Sequence, residues 1–158
     1  MIKWKIIFAV LKLLAFIKMA NAKNCTTNKP PKVLIIEPTT PRSGIDYLKE
    51  HGCQVIQLEK ATEEEVLKHI ADVDALFWAP PLKLTKPVLD AAGCNMKTVA
   101  TLSAGYNHID IDELKKRGIK LGNTPRVLDA AVADLGVVLA LAAARRLHEG
   151  RLKIEKYV

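Results

Sequence analysis

The stretch Ser103-Ala104-Gly105-Tyr106-Asn107-His108 is the part of this 158-residue chain best suited to meet a small molecule. It follows an apolar β-run and precedes a helix cap, which places it at the carboxyl end of a strand. Gly105 lets the backbone approach a ligand closely, and the N–H groups of Ala104 and Gly105 can serve a carboxylate as a small nest. A second loop, 78–85, is stiffened by two prolines and carries an exposed-looking Trp78, with Leu82 beyond it. The loop 37–44 contains Thr, Ser and Gly, but Pro38 and Pro41 remove two backbone donors that a phosphate cradle would use. It reads as an ordinary turn.

Other chemistries fail on residue type. A phosphorelay receiver needs an acceptor Asp after the third strand and a Lys after the fifth, where this chain has Phe77-Trp78 and Asn123-Thr124. Ser43 and Ser103 are the only serines and neither lies in G-x-S-x-G. His51, His69, His108 and His148 share no zinc-like spacing with Asp, Glu or Cys, so no metal is expected. Cys25, Cys53 and Cys94 form no C-x-x-C pair; Cys53 and Cys94 read as small buried hydrophobes.

These loops need elements to hold them. Five short apolar β-runs recur at 33–36, 55–58, 75–77, 98–103 and 119–121. Between them lie helical segments with punctuation. One spans 43–51 and stops at Gly52; Pro87 to Ala92 stops at Gly93. Thr62 with Glu65, and Asp110 with Glu113, have the spacing of capping boxes, and the helix after Asp110 stops at Gly118. Alternating strand and helix predicts an α/β fold: a flavodoxin-like parallel five-stranded sheet with helices on both faces, whose ligands gather beyond the carboxyl ends of the strands. From Ala130 to Ala144 only Asp134 and Gly136 are not apolar, which predicts a long C-terminal helix that is apolar nearly all round. Such a helix packs on the sheet or docks a partner or further domain.

The net positive charge is confined to one end. Residues 1–32 hold seven lysines and no acid, so the remaining 17 basic side chains balance the 17 acidic ones. A nucleic-acid binder concentrates basic charge on its folded face, and none is in excess here. Residues 1–31 read as a leader and linker. Lysine-bearing start, apolar middle and Ala20-Asn21-Ala22 outline a signal peptide over 1–22, against which Lys12 and Lys18 argue. An uncleaved or incidental leader is the favoured reading. A secretory route is the alternative, and would make Asn24-Cys25-Thr26 a glycosylation site.

The run "VLDAAGCNMKTVATLSAGYNHIDIDELKKRGIKLGNTPRVLDAAVADLGVVLALAAARRLHEGR", Val88 to Arg151, preceded by "PKVLIIEP" from Pro31, resembles the amino-terminal part of the D-isomer-specific 2-hydroxyacid dehydrogenases, closest to their glyoxylate/hydroxypyruvate reductase branch. The resemblance implies a substrate domain over 32–150, with 151–158 as a tail, and a cytoplasmic protein. Family members pair such a domain with a Rossmann domain that binds NAD or NADP, the active site lying between them. It implies that Ala104 and Gly105 hold the carboxylate of a small 2-oxo or 2-hydroxy acid. It also implies that the loop from Trp78 to Leu82 shapes the pocket, and that Thr124 to Asp134 forms the hinge strand and crossover helix near the nicotinamide. Asp129 stands where relatives often have a hydroxylic residue, and its charge would repel a phosphate.

The family's hydride donor sits on a G-x-G-x-x-G turn, with an Arg to polarise the carbonyl and a carboxylate-paired His as proton donor. No G-x-G-x-x-G occurs here, none of Arg117, Arg126, Arg145 or Arg146 matches the Arg, and His108 reads as a surface or loop-packing residue. The expectation is therefore a truncated reductase-like protein, inactive alone and not a stable binder of NADP or NAD. The alternative is a non-enzymatic module that binds a 2-oxo acid or dimerises, with itself or with a full-length subunit, through Ala130 to Ala144.

Overall fold

The computed structural model describes residues 29–157. The leader reading and the Asn24-Cys25-Thr26 tripeptide lie outside the described residues. Compact units divide after Pro125, so the expected 32–150 domain takes in all of the sheet and much of the helical second unit.

The first unit is built on five strands: β1 (Lys32–Ile35), β2 (Gln54–Gln57), β3 (Ala75–Trp78), β4 (Thr98–Thr101) and β5 (Lys120–Gly122). All pairings are parallel and the order is β2-β1-β3-β4-β5, the expected flavodoxin-like sheet. Helices α1 (Arg42–Glu50), α2 (Glu63–His69), α3 (Lys86–Ala92) and α4 (Ile111–Lys116) make the crossovers.

Successive strand side chains point to opposite faces, and that alternation sorts the core. Leu34, Ile36, Leu76, Trp78 and Val99 pack with Val66 and Ile70, with Val88, Leu89 and Ala92 of α3, and with Leu114 of α4. Val33, Ile35, Ala75, Phe77 and Ala100 pack on the other face with Ile45 and Leu48 of α1. Helices thus flank both faces, three on one and one on the other. Each fully buried apolar side chain stabilises the fold by about 1.5–3 kcal/mol.

Local signals end the helices where the sequence places them. The Thr62 hydroxyl accepts from Glu65 N at 3.3 Å, and the Asp110 carboxylate accepts from Glu113 N at 3.0 Å. Gly52, Gly93 and Gly118 all adopt left-handed φ, at 80°, 76° and 67°. Helix α2 also carries Glu63, Glu64 and Glu65 in its first turn and Lys68 and His69 in its last, matching the helix dipole.

Three expectations change. Cys53 is buried, but Cys94 is exposed, because it lies in the turn after α3 and not within an element. The fourth strand stops at Thr101, short of the expected 103. The expected tail is helical through Glu155.

The second unit comprises α5 (Asp129–Ala144) and α6 (Leu147–Glu155), separated at Arg146, whose φ is 51°. Helix-forming Arg, Leu, Lys and Glu and an Arg151–Glu155 pair at 3.5 Å carry α6 into the expected tail. Neither helix has a buried residue. Among the described residues, no helix is long and apolar enough to cross a membrane.

Candidate functional site

The β4 exit is held from the side by the β5 exit. Strand pairing runs to Ala100 against Gly122; beyond it, side chains take over from the ladder. The Thr124 hydroxyl donates to Leu102 O at 2.6 Å, Thr124 N donates to Ser103 O at 3.2 Å, and Asn123 Nδ2 donates to Ala104 O at 2.8 Å. Three successive carbonyls are thus drawn toward β5, and this is why the strand ends early.

Peptide planarity turns that latch into a binding geometry. In a trans peptide the N–H points opposite to the C=O of the same plane. Carbonyls of Ser103 and Ala104 held toward β5 therefore aim the N–H groups of Ala104 and Gly105 the other way. Neither N–H donates to any group among the described residues. Ala104 is half-buried and Gly105 exposed. A Cβ at Gly105 would meet nothing within 4 Å, so the space in front of the loop is open on that side. The expected nest is not formed, because neither residue has the left-handed φ that a nest alternates with. Two outward donors remain, oriented by the latch instead.

Thr101, Ser103 and His108 form a small polar cluster at the root of the loop. Thr101 is fully buried; its hydroxyl accepts from Ser103 N at 3.3 Å and lies 3.3 Å from Ser103 Oγ and 3.4 Å from His108 Nε2. Burial holds the His108 imidazole below its ordinary pKa. Its backbone also ties the two loops together: Leu84 N donates to His108 O at 2.7 Å, and Asp110 N donates to Leu84 O at 3.0 Å. The expectation of a loop-packing His108 fits this placement.

The facing loop is not as expected. Trp78 is only 1% exposed and packs in the core. It sits at the end of a strand buried on both faces, so its ring goes inward, and its Nε1 donates to Leu82 O at 2.9 Å. Trp78 shapes this loop from within. Leu82 is half-exposed. Together they line a cleft of about 160 Å³ with Glu63, Lys83, Thr85 and Val88, and not with Ala104 or Gly105. Glu37 to Thr40 is a turn closed on itself, with Thr40 Oγ1 donating to Glu37 O at 2.8 Å and Gln57 Nε2 to Pro38 O at 3.0 Å.

Sequence reasoning weighed Asn123 only as the wrong residue for a receiver, and Thr124 as that and as the start of the hinge segment. Their latch role depends on the β4–β5 register. The signal that could have found them is an amide and a hydroxyl directly after the strand that neighbours β4.

The description "D-isomer specific 2-hydroxyacid dehydrogenase, catalytic domain" matches residues 33–150. The chain is similar to the glyoxylate reductase/hydroxypyruvate reductase of Mus musculus, 51% identical over 121 residues that are 75% of this chain and 37% of that one. A crystal structure from Pyrococcus horikoshii OT3 superposes with a TM-score of 0.66 at 30% identity, covering 80% of this chain and 37% of the other. An NADPH-dependent glyoxylate/hydroxypyruvate reductase from Sinorhizobium meliloti, in complex with NADP and malonate, gives 0.58 at 30% identity, covering 72% and 34%. The chain spans little more than a third of the length of such curated relatives, 35% and 37% in two of them.

Proposed function

The chain belongs to the D-isomer specific 2-hydroxyacid dehydrogenase family, and we propose that it supplies the carboxylate-holding part of a 2-oxo acid reductase site. The observation that carries this reading is the pair of unclaimed N–H groups at Ala104 and Gly105, aimed away from β5 by Asn123 and Thr124. Hydrogen bonds from N–H to a carboxylate are shorter and roughly twice as strong as neutral ones. Glyoxylate and hydroxypyruvate, named for the relatives' activities, each place a carboxylate beside the carbonyl to be reduced. Gripping that carboxylate at two points fixes where the carbonyl lies.

NADP or NAD is the family's hydride source, and among the described residues the start of α5 does not fit its phosphates. The start of α5 has Leu128 at its cap with no side-chain bond, and Asp129 in its first turn, where an anion would be repelled. No reaction step is therefore assigned here. A carboxylate grip holds ground state and transition state alike, so this chain on its own is expected to bind the acid and not to reduce it.

The test is a titration of the ¹⁵N-labelled chain with malonate and with glyoxylate, read by amide chemical shifts. Saturable movement of the Ala104 and Gly105 signals is expected. Saturable binding that leaves both signals in place, or no saturable binding, overturns the reading. A parallel assay of glyoxylate-dependent NADPH oxidation should show no turnover by this chain.

A second reading rests on α5, which is apolar over 130–144 and has no buried residue. It makes the chain a module that pairs through that helix, with itself or a full-length subunit. Sedimentation equilibrium distinguishes a defined dimer from a monomer.

A further inference from the structure

The hydroxyl of Thr101 has as many neighbours as it can serve at once, so each fixes what the others can do. It owns one proton and two lone pairs. One lone pair accepts from Ser103 N at 3.3 Å, leaving one proton and one lone pair for Ser103 Oγ and His108 Nε2. Only two arrangements satisfy all three atoms. If His108 carries its proton on Nδ1, Thr101 donates to Nε2 and accepts from the Ser103 O–H, whose proton then points into the protein. If His108 carries its proton on Nε2, that N–H donates to Thr101, Thr101 donates to Ser103 Oγ, and the Ser103 proton is free to point outward.

The position of Ser103 makes this choice consequential. It immediately precedes the two outward N–H donors and is half-buried at the same loop. A carboxylate offers about four lone-pair sites, of which Ala104 and Gly105 would fill two. We propose that His108, as the Nε2–H form acting through Thr101, turns the Ser103 hydroxyl outward to serve as a third donor to the bound carboxylate. This rests on the reading that Ala104 and Gly105 hold that carboxylate. His108 and Thr101 are positioning residues; Ser103 touches the ligand. No group among the described residues bonds His108 Nδ1, so the bond at Nε2 is the one that couples the tautomer to Thr101. Because burial keeps the ring below its ordinary pKa, the tautomer decides and not a charge.

The experiment is malonate titration of the full chain and its variants, followed by amide shifts. Ser103→Ala should weaken malonate binding roughly tenfold or more, the loss expected for a hydrogen bond to a charged group. His108→Phe should weaken it about three- to tenfold, and add nothing further in the Ser103→Ala background, because it acts through that hydroxyl. His108→Gln, which keeps an N–H donor, should recover part of the loss. Independently, imidazole ¹⁵N shifts of the native chain should show Nε2–H when malonate is bound; this decides the matter if a variant does not fold.

The outcomes separate. Native chain that shows no Ala104 and Gly105 response overturns the carboxylate reading and this inference with it. Native binding at those amides, with Ser103→Ala binding equally well, overturns only the inference. So does a His108→Phe loss that persists in the Ser103→Ala background, or an Nδ1–H tautomer in the bound state.

Discussion

Replacing Asn123 tests whether the latch, and not the loop's own sequence, orients the donors. Asn123 Nδ2 holds Ala104 O at 2.8 Å, and the Gly105 N–H belongs to that same peptide plane. A flip of this plane would present a carbonyl to the ligand in place of a donor. The bond is worth about 0.5–1.5 kcal/mol net. Asn123→Ala removes it and leaves the two orientations closer in free energy, so the competent fraction falls toward one half and the apparent Kd for malonate rises by up to about twofold. Asn123→Asp does more, because a carboxylate then faces a carbonyl oxygen. Charged hydrogen-bonding groups act at about 1.5–3 kcal/mol, here with the sign reversed, so the flipped plane dominates and the apparent Kd rises roughly tenfold or more. The assay is malonate titration followed at the Gly105 amide. Direct repulsion of malonate by the new Asp would fade with added salt, whereas a flipped plane would not. Equal affinity in native and Asn123→Asp, with the same Gly105 shift, would refute the planarity argument.

Three further outcomes follow from local geometry. Cys94 should react readily with a thiol reagent while Cys53, whose thiol pKa burial pushes up, stays protected until the chain unfolds; peptide mapping after timed labelling reads both. Thr62→Ala should destabilise the first unit by about 1 kcal/mol through loss of the Glu65 cap, measured as a lower urea midpoint with unchanged slope. Burial depresses the folded pKa of His108 below the unfolded 6.5, so its contribution to stability is full above that value. It is lost as pH falls through the lower folded pKa. Urea midpoints taken from pH 7.5 to 5 should show a fall that is smaller in His108→Gln.

Much of this fold is legible in the sequence because its signals are local. Thr62 with Glu65 and Asp110 with Glu113 cap the predicted helices, and Gly52, Gly93 and Gly118 end them in left-handed turns. The position of the 103–108 loop after β4 was equally legible, since a glycine after an apolar strand is a local pattern. What failed depended on distant residues. Trp78 looked exposed beside two prolines, but the helices packed on that face of β3 enclose its ring. Cys94 looked like core and lies in a turn. The nest needed a left-handed residue that the backbone does not supply, and the latch that replaces it joins residues about twenty positions apart through a register no short window displays.

The three left-handed glycines share a side of the molecule. Gly52, Gly93 and Gly118 each follow a helix and precede a strand, so in a parallel sheet all three sit at the amino rim, opposite the carboxyl rim that carries Ala104 and Gly105. A Cβ at any of them would meet nothing within 4 Å, so their cost is one of backbone conformation and not of crowding. The two rims are therefore unequal as places to cut or add. A fluorescent reporter, an affinity tag or new chain ends introduced at the amino-rim turns would leave the 103–108 loop and its latch untouched. The same change at the opposite rim would dismantle them.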